Sequence, residues 1–195
     1  MPLTVGFTYD CKIDYAPKSG EPVDINAEFD SEETINVIAS SIEAGGHKLI
    51  RIGNLKKLLA NIDEVKKTVD IVFNTCEGYR GRNREAQVPV FLEATGIPFV
   101  GSDGLTLSLT LDKVMTKKIL ITDGIPTPKY FAVDNAEDIP DLGHLKFPLF
   151  VKARYEGTSK GLTENSRVEN REELIEQIKH ITLNYHQTAL VEEFI

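Results

Sequence analysis

The sequence has few of the residues that indicate a disulfide-bonded, zinc-binding or membrane protein. It contains no tryptophan and only two cysteines. Cys11 and Cys76 stand far apart and neither belongs to a C-x-x-C pair, so a disulfide framework or a structural zinc site is not expected. No apolar run is long enough to span a membrane, and the first residues lack the basic and apolar regions of a signal peptide. We therefore expect a cytoplasmic protein in a reducing compartment, with no membrane partner.

Positive charge is also scarce. The chain of 195 residues has 22 lysines and arginines against 30 acidic residues, which gives a net charge of −8 and a pI near 5.1. This balance argues against a nucleic-acid partner, because such proteins need a basic surface to attract phosphates. Eight acidic residues stand against two lysines in residues 10–33, the acidic segment. We expect it to be a solvated loop that leads into a helix.

Two common phosphate-binding motifs are missing, although one segment favours a polyphosphate. Neither G-x-x-x-x-G-K-[ST] nor G-x-G-x-x-G occurs. Residues 147–161 read F-P-L-F-V-K-A-R-Y-E-G-T-S-K-G, which places Lys152 at the end of an apolar strand and a small, donor-rich loop after it. Lys113, at a predicted helix start, would complete a lysine clamp for phosphates. The alternative is that Lys113 belongs to a solvated helix face with Lys117 and Lys118.

The first half of the chain alternates predicted strands and helices. This βαβαβ order predicts a parallel sheet with its functional loops at the carboxyl ends of the strands. Asp30 and Glu33 have capping-box spacing for the first helix, and a turn-rich boundary is expected near residues 102–105. Strands are predicted at 3–8, 47–52, 70–74 and 97–101, a single helix at 55–65, and helix ends at Gly45-Gly46 and Gly96.

The second half predicts a more antiparallel unit. A helix runs from Asp112 to Asp123, where Gly124, Pro126 and Pro128 prevent its continuation. Asn170 and Glu173 have capping-box spacing for a later helix that extends to about residue 181. Strands are predicted at 129–133, 149–152 and 189–195, and a further strand is expected to begin or end at Val168.

Six blocks in this half resemble the ATP-grasp core of the D-alanine–D-alanine ligases. The resemblance covers about residues 70–195, and 96–102 resembles that family's boundary before its ATP-grasp domain. It implies an α/β protein, with a Rossmann-like parallel-sheet domain at 1–104 followed by the first part of an ATP-grasp α+β domain at 105–195. The blocks are T-L-D-K (110–113), T-K (116–117), G-I-P-T-P (124–128), F-P-L-F-V-K (147–152), E-G-T-S-K-G (156–161) and V-E-E-F-I (191–195).

The resemblance implies an ATP-dependent carboxylate–amine ligase that works through an acylphosphate and acts on small amino acid or peptide substrates. Lys113 would lie on the α-phosphate side, and Lys152 would reach the α- and β-phosphates and the adenine edge. Glu192 would belong to the adenine clamp. The ATP-binding residues implied are Lys113, Lys152, the lid loop Glu156, Gly157, Thr158, Ser159, Lys160 and Gly161, and the clamp Glu192, Glu193, Phe194 and Ile195.

Two family motifs are replaced in this chain. The G-G-x-S-x-E-x-x-V-S run, whose glutamate helps to hold the first substrate's ammonium, gives way to residues 6–12. The H-G-x-x-G-E-D-G loop gives way to 76–85, which contains Glu77, Arg82 and Arg84 as candidate substrate-binding residues. Arginines here favour a more anionic substrate or a neighbouring triphosphate. The alternative is a solvated loop tip or ion pairs with the acidic segment.

In the resembling enzymes the magnesium ligands follow the adenine clamp. We therefore expect ATP and magnesium as cofactors, the metal ligands beyond Ile195, and no catalysis by the 195-residue chain alone. A homodimer is possible. A non-enzymatic α/β binding module or a degenerate ATP-grasp protein remains the alternative. The four histidines have no ligand-like spacing and are expected at surface or supporting positions; they are His47, His144, His180 and His186.

Overall fold

The computed structural model describes residues 1–143 and 145–195. His144, one of the four histidines considered above, lies outside the described residues. The backbone divides into a first unit, residues 1–16 and 26–108, and a second unit, residues 17–25 and 109–195. The domain boundary expected between residues 104 and 105 stays a prediction. Within the described chain, no helix has the length and apolar character needed to cross a membrane.

The first unit contains a four-stranded parallel sheet, which confirms the predicted α/β class. Its strands lie in the order β2-β1-β3-β4. Apolar side chains of β1 and β3, such as Phe7 and Val72, are fully buried, as expected for a sheet covered by helices on its faces. The strands are β1 (Thr4–Tyr9), β2 (Lys48–Arg51), β3 (Ile71–Thr75) and β4 (Phe99–Val100).

The helices of this unit differ from prediction at two ends. The side chain of Ser31, not of Asp30, caps the first helix by accepting a hydrogen bond from the Thr34 amide. Asp30 instead forms a parallel bridge with Cys11, so the expected capping box is wrong. The single helix predicted at 55–65 is two helices, because Asn61 leaves helical geometry. The helices are α1 (Glu32–Ala44), α2 (Leu55–Ala60), α3 (Ile62–Thr68) and α4 (Gln87–Thr95).

A further helix, α5 (Gly104–Leu111), occupies part of the expected turn-rich boundary. The alternation L-T-L-S-L-T-L suggests no helical periodicity, so pattern reading missed this element. Asp103 accepts a hydrogen bond from the Thr106 amide at 2.7 Å, as a helix N-terminal residue does. A local cap therefore starts α5 where only a turn was expected.

The second unit contains a four-stranded antiparallel sheet, again as predicted. The order is β5-β8-β6-β7, and Leu149 and Val151 of β6 are fully buried beneath Ile178 of the last helix. The elements are α6 (Lys113–Thr122), β5 (Tyr130–Val133), β6 (Leu149–Ala153), β7 (Arg167–Val168), α7 (Arg171–Asn184) and β8 (Ala189–Glu193).

The two helices of the second unit begin at side-chain caps. Asp112 accepts hydrogen bonds from the amides of Val114 and Met115, each at 3.1 Å. Asn170 accepts one from the Glu173 amide at 3.0 Å, which confirms the helix start predicted there. The cap at Asp112 matters for the site, because it fixes the backbone of Lys113, the first residue of α6.

Candidate functional site

A buried carboxylate between two lysines forms the centre of the candidate site. Glu192 of β8 pairs in register with Phe150 of β6, so Lys152, two residues along β6, lies diagonally on the same face of the sheet. Lys152 forms an ion pair with Glu192 Oε1. Lys117 of α6 places its Nζ 2.8 Å from Glu192 Oε2. The carboxylate therefore joins one helix and two strands of the second unit.

Lys117 is a functional candidate to which sequence reasoning assigned no role in the site. It stands in the T-K block at 116–117 and was otherwise considered as part of a solvated helix face, yet it is 6% exposed. Its Nζ donates to Thr127 Oγ1 at 2.8 Å and to the Pro128 carbonyl at 2.9 Å, and it lies 5.1 Å from the centre of the Tyr130 ring. Its spacing of four residues from Lys113 was the available signal, because such residues share a helix face.

The two lysines keep Glu192 ionised. Burial by itself raises the pKa of this carboxyl, but the hydrogen bonds and charges of Lys117 and Lys152 outweigh burial and lower the pKa below its ordinary value. Oε2 is buried and faces Lys117 as an ion-pair partner, without a hydrogen bond of regular geometry. Glu192 is therefore a charged acceptor with part of its capacity uncommitted.

A cavity of about 250 Å³ opens beside this carboxylate. It brings together three residues that the sequence predicted for a nucleotide site: Lys113, Lys152 and Glu192. Lys117 adds a third lysine to the same lining. Three ammonium groups and one carboxylate suit an anion that also carries a hydrogen-bond donor. Three threonines and a proline complete the lining; they are Thr110, Thr116, Thr127 and Pro128.

The loop predicted to act as a phosphate lid is folded into two turns. The Lys160 amide donates to the Gly157 carbonyl at 2.9 Å, and the Leu162 amide donates to the Ser159 carbonyl at 3.0 Å. Thr158 and Ser159 have positive φ values of 46° and 57°, and both are exposed. Their hydroxyls thus stand at the tip of a strained loop, the arrangement expected for groups that meet a ligand.

Buried polar contacts hold the base of this loop. Glu156 is 8% exposed; its carbonyl accepts from Lys113 Nζ and its carboxylate from Gln187 Nε2. Lys160, which the resemblance implied as an ATP-binding residue, is 7% exposed and places its Nζ 2.5 Å from Glu156 Oε2. It therefore stabilises the loop from inside, and Gln187 is a supporting residue that sequence reasoning missed.

Residues 17–25 also support the loop within the second unit. Asp24 accepts a hydrogen bond from the Gly161 amide at 2.8 Å and another from the Tyr185 hydroxyl at 2.8 Å. Burial and the Asp24 carboxylate raise the pKa of Tyr185 well above its ordinary value, so the hydroxyl remains a donor. Part of the acidic segment is therefore tied to the end of the lid loop.

Asp112 and Arg154 form a further pair that the sequence did not reveal. Arg154 donates from Nε and Nη2 to the two carboxylate oxygens of Asp112, each at 2.7 Å. Burial raises the pKa of Asp112, but the Arg154 and backbone hydrogen bonds bring it below the ordinary value. The Lys113 amide also donates to the Arg154 carbonyl at 3.2 Å. This double link fixes the start of α6 against the end of β6.

The remaining clamp residues are less enclosed. Glu193 accepts a hydrogen bond from the Lys129 amide at 3.3 Å. The Phe194 ring lies 6.1 Å from that of Phe150, with the Arg167 guanidinium 5.1 Å from its centre. Ile195 is 94% exposed. Of the four predicted clamp residues, Glu192 alone lines the cavity.

The candidate substrate residues belong to the first unit. Arg84 is 6% exposed and donates from Nη2 to both carboxylate oxygens of Glu28 at 2.8 Å, so it has the ion pair with the acidic segment that was considered as the alternative. Arg82 is exposed. Burial, followed by the charges of Glu85 and Glu28, raises the pKa of Glu77 to about 7, against a lowering by Arg84. Substrate contacts for these residues stay a prediction.

Comparison with known proteins finds similarity to D-alanine–D-alanine ligases. Residues 119–195 match the family described as D-ala D-ala ligase C-terminus. The chain is 37% identical over 150 residues to D-alanine–D-alanine ligase of Natranaerobius thermophilus, covering 72% of this chain and 40% of that protein. Identity to the Carboxydothermus hydrogenoformans ligase is 34% over 172 residues, covering 85% and 53%. The chain thus spans about half the length of these relatives.

Solved structures agree on the fold. The chain aligns with D-alanine–D-alanine ligase from Bacillus anthracis with a TM-score of 0.72 at 23% identity, covering 99% of this chain and 58% of that one. The same enzyme complexed with ATP aligns with a TM-score of 0.69 at 22% identity, covering 99% and 59%. At this identity the likeness establishes a shared architecture, a parallel-sheet unit followed by part of an ATP-grasp unit.

Proposed function

The chain is a relative of the D-alanine–D-alanine ligases, and we propose that its protein is an ATP-dependent carboxylate–amine ligase to which the second unit contributes part of the nucleotide site. The observation that carries the proposal is the ionised Glu192 between Lys117 and Lys152 at the edge of a cavity that Lys113 also lines. A lone carboxylate among three lysines suits a nucleotide, whose phosphates need cations and whose adenine amine needs an acceptor.

Each residue has a proposed role in that site. Lys113 and Lys152 neutralise the phosphates, and Glu192 accepts a hydrogen bond from the adenine amine. Backbone groups of Glu193 and Ile195 complete the base contacts, and Phe194 packs beside the ring. The lid loop supplies the amide of Gly157 and the hydroxyls of Thr158 and Ser159. Glu156 and Lys160 stabilise its base, and Gly161 is held by its hydrogen bond to Asp24.

The proposed reaction has two steps. A carboxylate oxygen of the first substrate attacks the γ-phosphorus of ATP, the bond from that phosphorus to the β-phosphate oxygen breaks, and ADP leaves. The amine nitrogen of the second substrate then attacks the acyl carbon of the resulting acylphosphate. Inorganic phosphate departs with the electrons of the broken C–O bond, and the nitrogen loses a proton. The protein's part is positioning and charge stabilisation.

We propose magnesium as the metal ion that accompanies the ATP phosphates. Across residues 1–143 and 145–195, no group of three or more histidine, cysteine, aspartate or glutamate side chains is placed to hold a metal ion. No step of the reaction is therefore assigned to a metal ligand of this chain.

D-Alanine and D-amino acid dipeptides are the first substrates to test, given the relatives, and Arg82 and Arg84 favour adding anionic amino acids to that panel.

The test is a coupled phosphate-release assay on the protein as expressed from its own gene, with ATP and this panel of substrates. We expect release that requires both a carboxylate and an amine substrate. Lys152→Met should lower kcat/KM at least about tenfold, the value of one charge-assisted hydrogen bond. Lys118→Met, which removes an exposed lysine of α6, should leave kcat/KM unchanged. Absence of substrate-dependent release by the protein would contradict the proposal.

A further inference from the structure

We infer that Lys117 is a positioning residue that holds Glu192 as the base-recognising carboxylate, while Lys152 is an exchangeable lysine that leaves Glu192 for the phosphates when a nucleotide binds. The inference rests on the proposed nucleotide site and assigns different roles to two lysines that pair with the same carboxylate. A static pair of equivalent lysines is the alternative. The contacts of the two side chains distinguish them.

Lys117 is fully committed. Its side chain is 8% exposed; its Nζ donates to Thr127 Oγ1 and to the Pro128 carbonyl and forms an ion pair with Glu192 Oε2. The Tyr130 ring lies on another side, 5.1 Å from Nζ. Moving this ammonium away would separate a buried ion pair and leave a partly buried carbonyl and hydroxyl without their donor, which is unfavourable. Lys117 therefore stays with Glu192 whether or not a ligand is present.

Lys152 is less constrained. Its side chain is 23% exposed, about three times the value for Lys117. Among the residues the structure describes, its ion-pair partner is Glu192, and its other close neighbour is the Phe150 ring, 6.0 Å from Nζ. Rotation of a lysine side chain toward the cavity would keep Nζ near solvent, so the displacement is easy. A polyphosphate in the cavity would offer it more negative charge than half a carboxylate does.

The exchange works because Lys117 remains. If Lys117 were absent, Glu192 would become a buried carboxylate without a counter-ion once Lys152 turned to a phosphate, and its protonated form would be favoured. Lys117 prevents this by keeping Oε2 paired, and it thereby leaves Oε1 charged and free to accept. A carboxylate oriented in this way accepts from the 6-amino group of adenine and repels the 6-oxo group of guanine, which is itself an acceptor. Lys117 thus determines base preference without touching the base.

The experiment measures two quantities in the wild-type protein, expressed from its own gene, and in its variants Lys117→Met, Lys152→Met and Lys118→Met. NMR titration with ATP and with GTP at millimolar concentration gives the ratio of the two dissociation constants. Carbon-detected titration of the Glu192 carboxyl gives its pKa. We expect Lys117→Met to reduce the preference for ATP over GTP about tenfold, as expected for one misplaced acceptor, and to raise the pKa of Glu192 more than Lys152→Met does.

Lys152→Met should weaken the binding of ATP and of GTP by about the same factor, roughly tenfold for one phosphate contact. It should leave the preference for ATP over GTP unchanged. The exposed Lys118→Met is the control and should change neither quantity. Thr127→Val removes one of the contacts that orient Lys117 and should give a smaller loss of preference, which covers the case that Lys117→Met does not fold. An unchanged preference in Lys117→Met and Thr127→Val overturns the inference.

Failure of the proposed function gives a different result. If the wild-type protein as expressed from its own gene binds neither nucleotide, the proposed nucleotide site is refuted, and only the carboxyl titration then bears on Lys117. A larger pKa rise in Lys117→Met than in Lys152→Met supports Lys117 as the residue that fixes Glu192. Equal rises in the two variants refute it. In a further outcome, the wild type binds both nucleotides while Lys117→Met and Lys152→Met show the same rise in the pKa of Glu192 and the same preference for ATP over GTP. That result refutes the different roles of the two lysines and leaves the proposed nucleotide site standing.

Discussion

At the scale of single residues, Arg84 tests what a buried ion pair does in this fold. Because Arg84 and Glu28 are both at most 9% exposed, removing the guanidinium leaves a buried carboxylate without its counter-ion. Arg84→Met should lower the free energy of unfolding by about 3 kcal/mol. Urea denaturation followed by circular dichroism measures this change.

The neighbouring Arg82 is a matched control, since it is an exposed arginine of the same loop. Arg82→Met should change the stability by less than about 0.5 kcal/mol. Adding Glu28→Met to Arg84→Met should recover much of the loss, because replacing both partners of a buried pair by apolar side chains is often nearly neutral. Equal stability of the Arg82 and Arg84 variants would show that the Arg84–Glu28 pair does not stabilise the fold.

At the scale of elements, Asp24 should control how firmly the end of the lid loop is held. Its carboxylate accepts from both the Gly161 amide and the Tyr185 hydroxyl, so Asp24→Ala removes two hydrogen bonds at once. We expect amide exchange at Gly161 to become at least about tenfold faster, corresponding to one lost hydrogen bond. Hydrogen exchange followed by NMR measures the rate directly.

Two variants separate the contributions. Tyr185→Phe removes the hydroxyl and leaves the bond from Gly161 in place, so it should accelerate exchange much less. Val23→Ala changes a side chain that is 95% exposed in the same segment and should have no effect. If Asp24→Ala exchanged at the wild-type rate, the turns at 157–160 and 159–162 alone would account for the order of the loop.

The elements themselves were largely predictable, and the failures have local causes. Apolar blocks between glycines and prolines predicted seven of the eight strands in the described residues, because buried strands are rich in apolar residues; for β7 the sequence indicated only that a strand begins or ends at Val168. The start of α1 was misplaced since Ser31 and Asp30 are both good capping residues, and only the bridge of Asp30 to Cys11 decides between them. The break at Asn61 depends on a side-chain amide that closes the turn of α2 by donating to the Lys57 carbonyl at 2.8 Å.

The site was predictable in part. Lys113, Lys152 and Glu192 were identified because they occur in recurring sequence blocks, and they do line one cavity. Lys117 stands in one of these blocks but was given no role, and Arg154 and Gln187 were not identified at all, because their partners Glu192, Asp112 and Glu156 lie far along the chain. A pattern of spacing within one helix or strand cannot reveal such partners, because the contacts form only when distant parts of the chain pack together.

At the scale of the whole molecule, the shifted carboxyls predict an unusual dependence of stability on pH. In the second unit, Asp112 and Glu192 have lowered pKa values because lysine and arginine contacts outweigh burial. Their contribution is present above the ordinary pKa values and is lost as the pH falls through the lowered ones. In the first unit, burial raises the pKa values of Asp30 and Glu77 instead. The two groups of carboxyls therefore have opposite effects on how stability changes with pH.

Glu77 determines how stability changes between pH 4.5 and pH 7. Its pKa rises from an ordinary 4.5 to about 7, so between these values the folded chain binds more protons than the unfolded chain. Stability must then fall as the pH rises through this window. Glu77 is partly exposed, so solvent screening limits the loss to about 1 kcal/mol between pH 5 and pH 8.

Glu77→Gln removes the titration and keeps the shape of the side chain. Urea denaturation from pH 4 to pH 8 should show a nearly flat profile above pH 5 in this variant, with a higher stability than the wild type at pH 8, since no buried charge forms. Exposed Glu164, in the second unit, provides the control, because Glu164→Gln should preserve the wild-type slope. A wild-type stability that rises from pH 5 to pH 8 would mean that Glu77 ionises in the folded chain as readily as in the unfolded one.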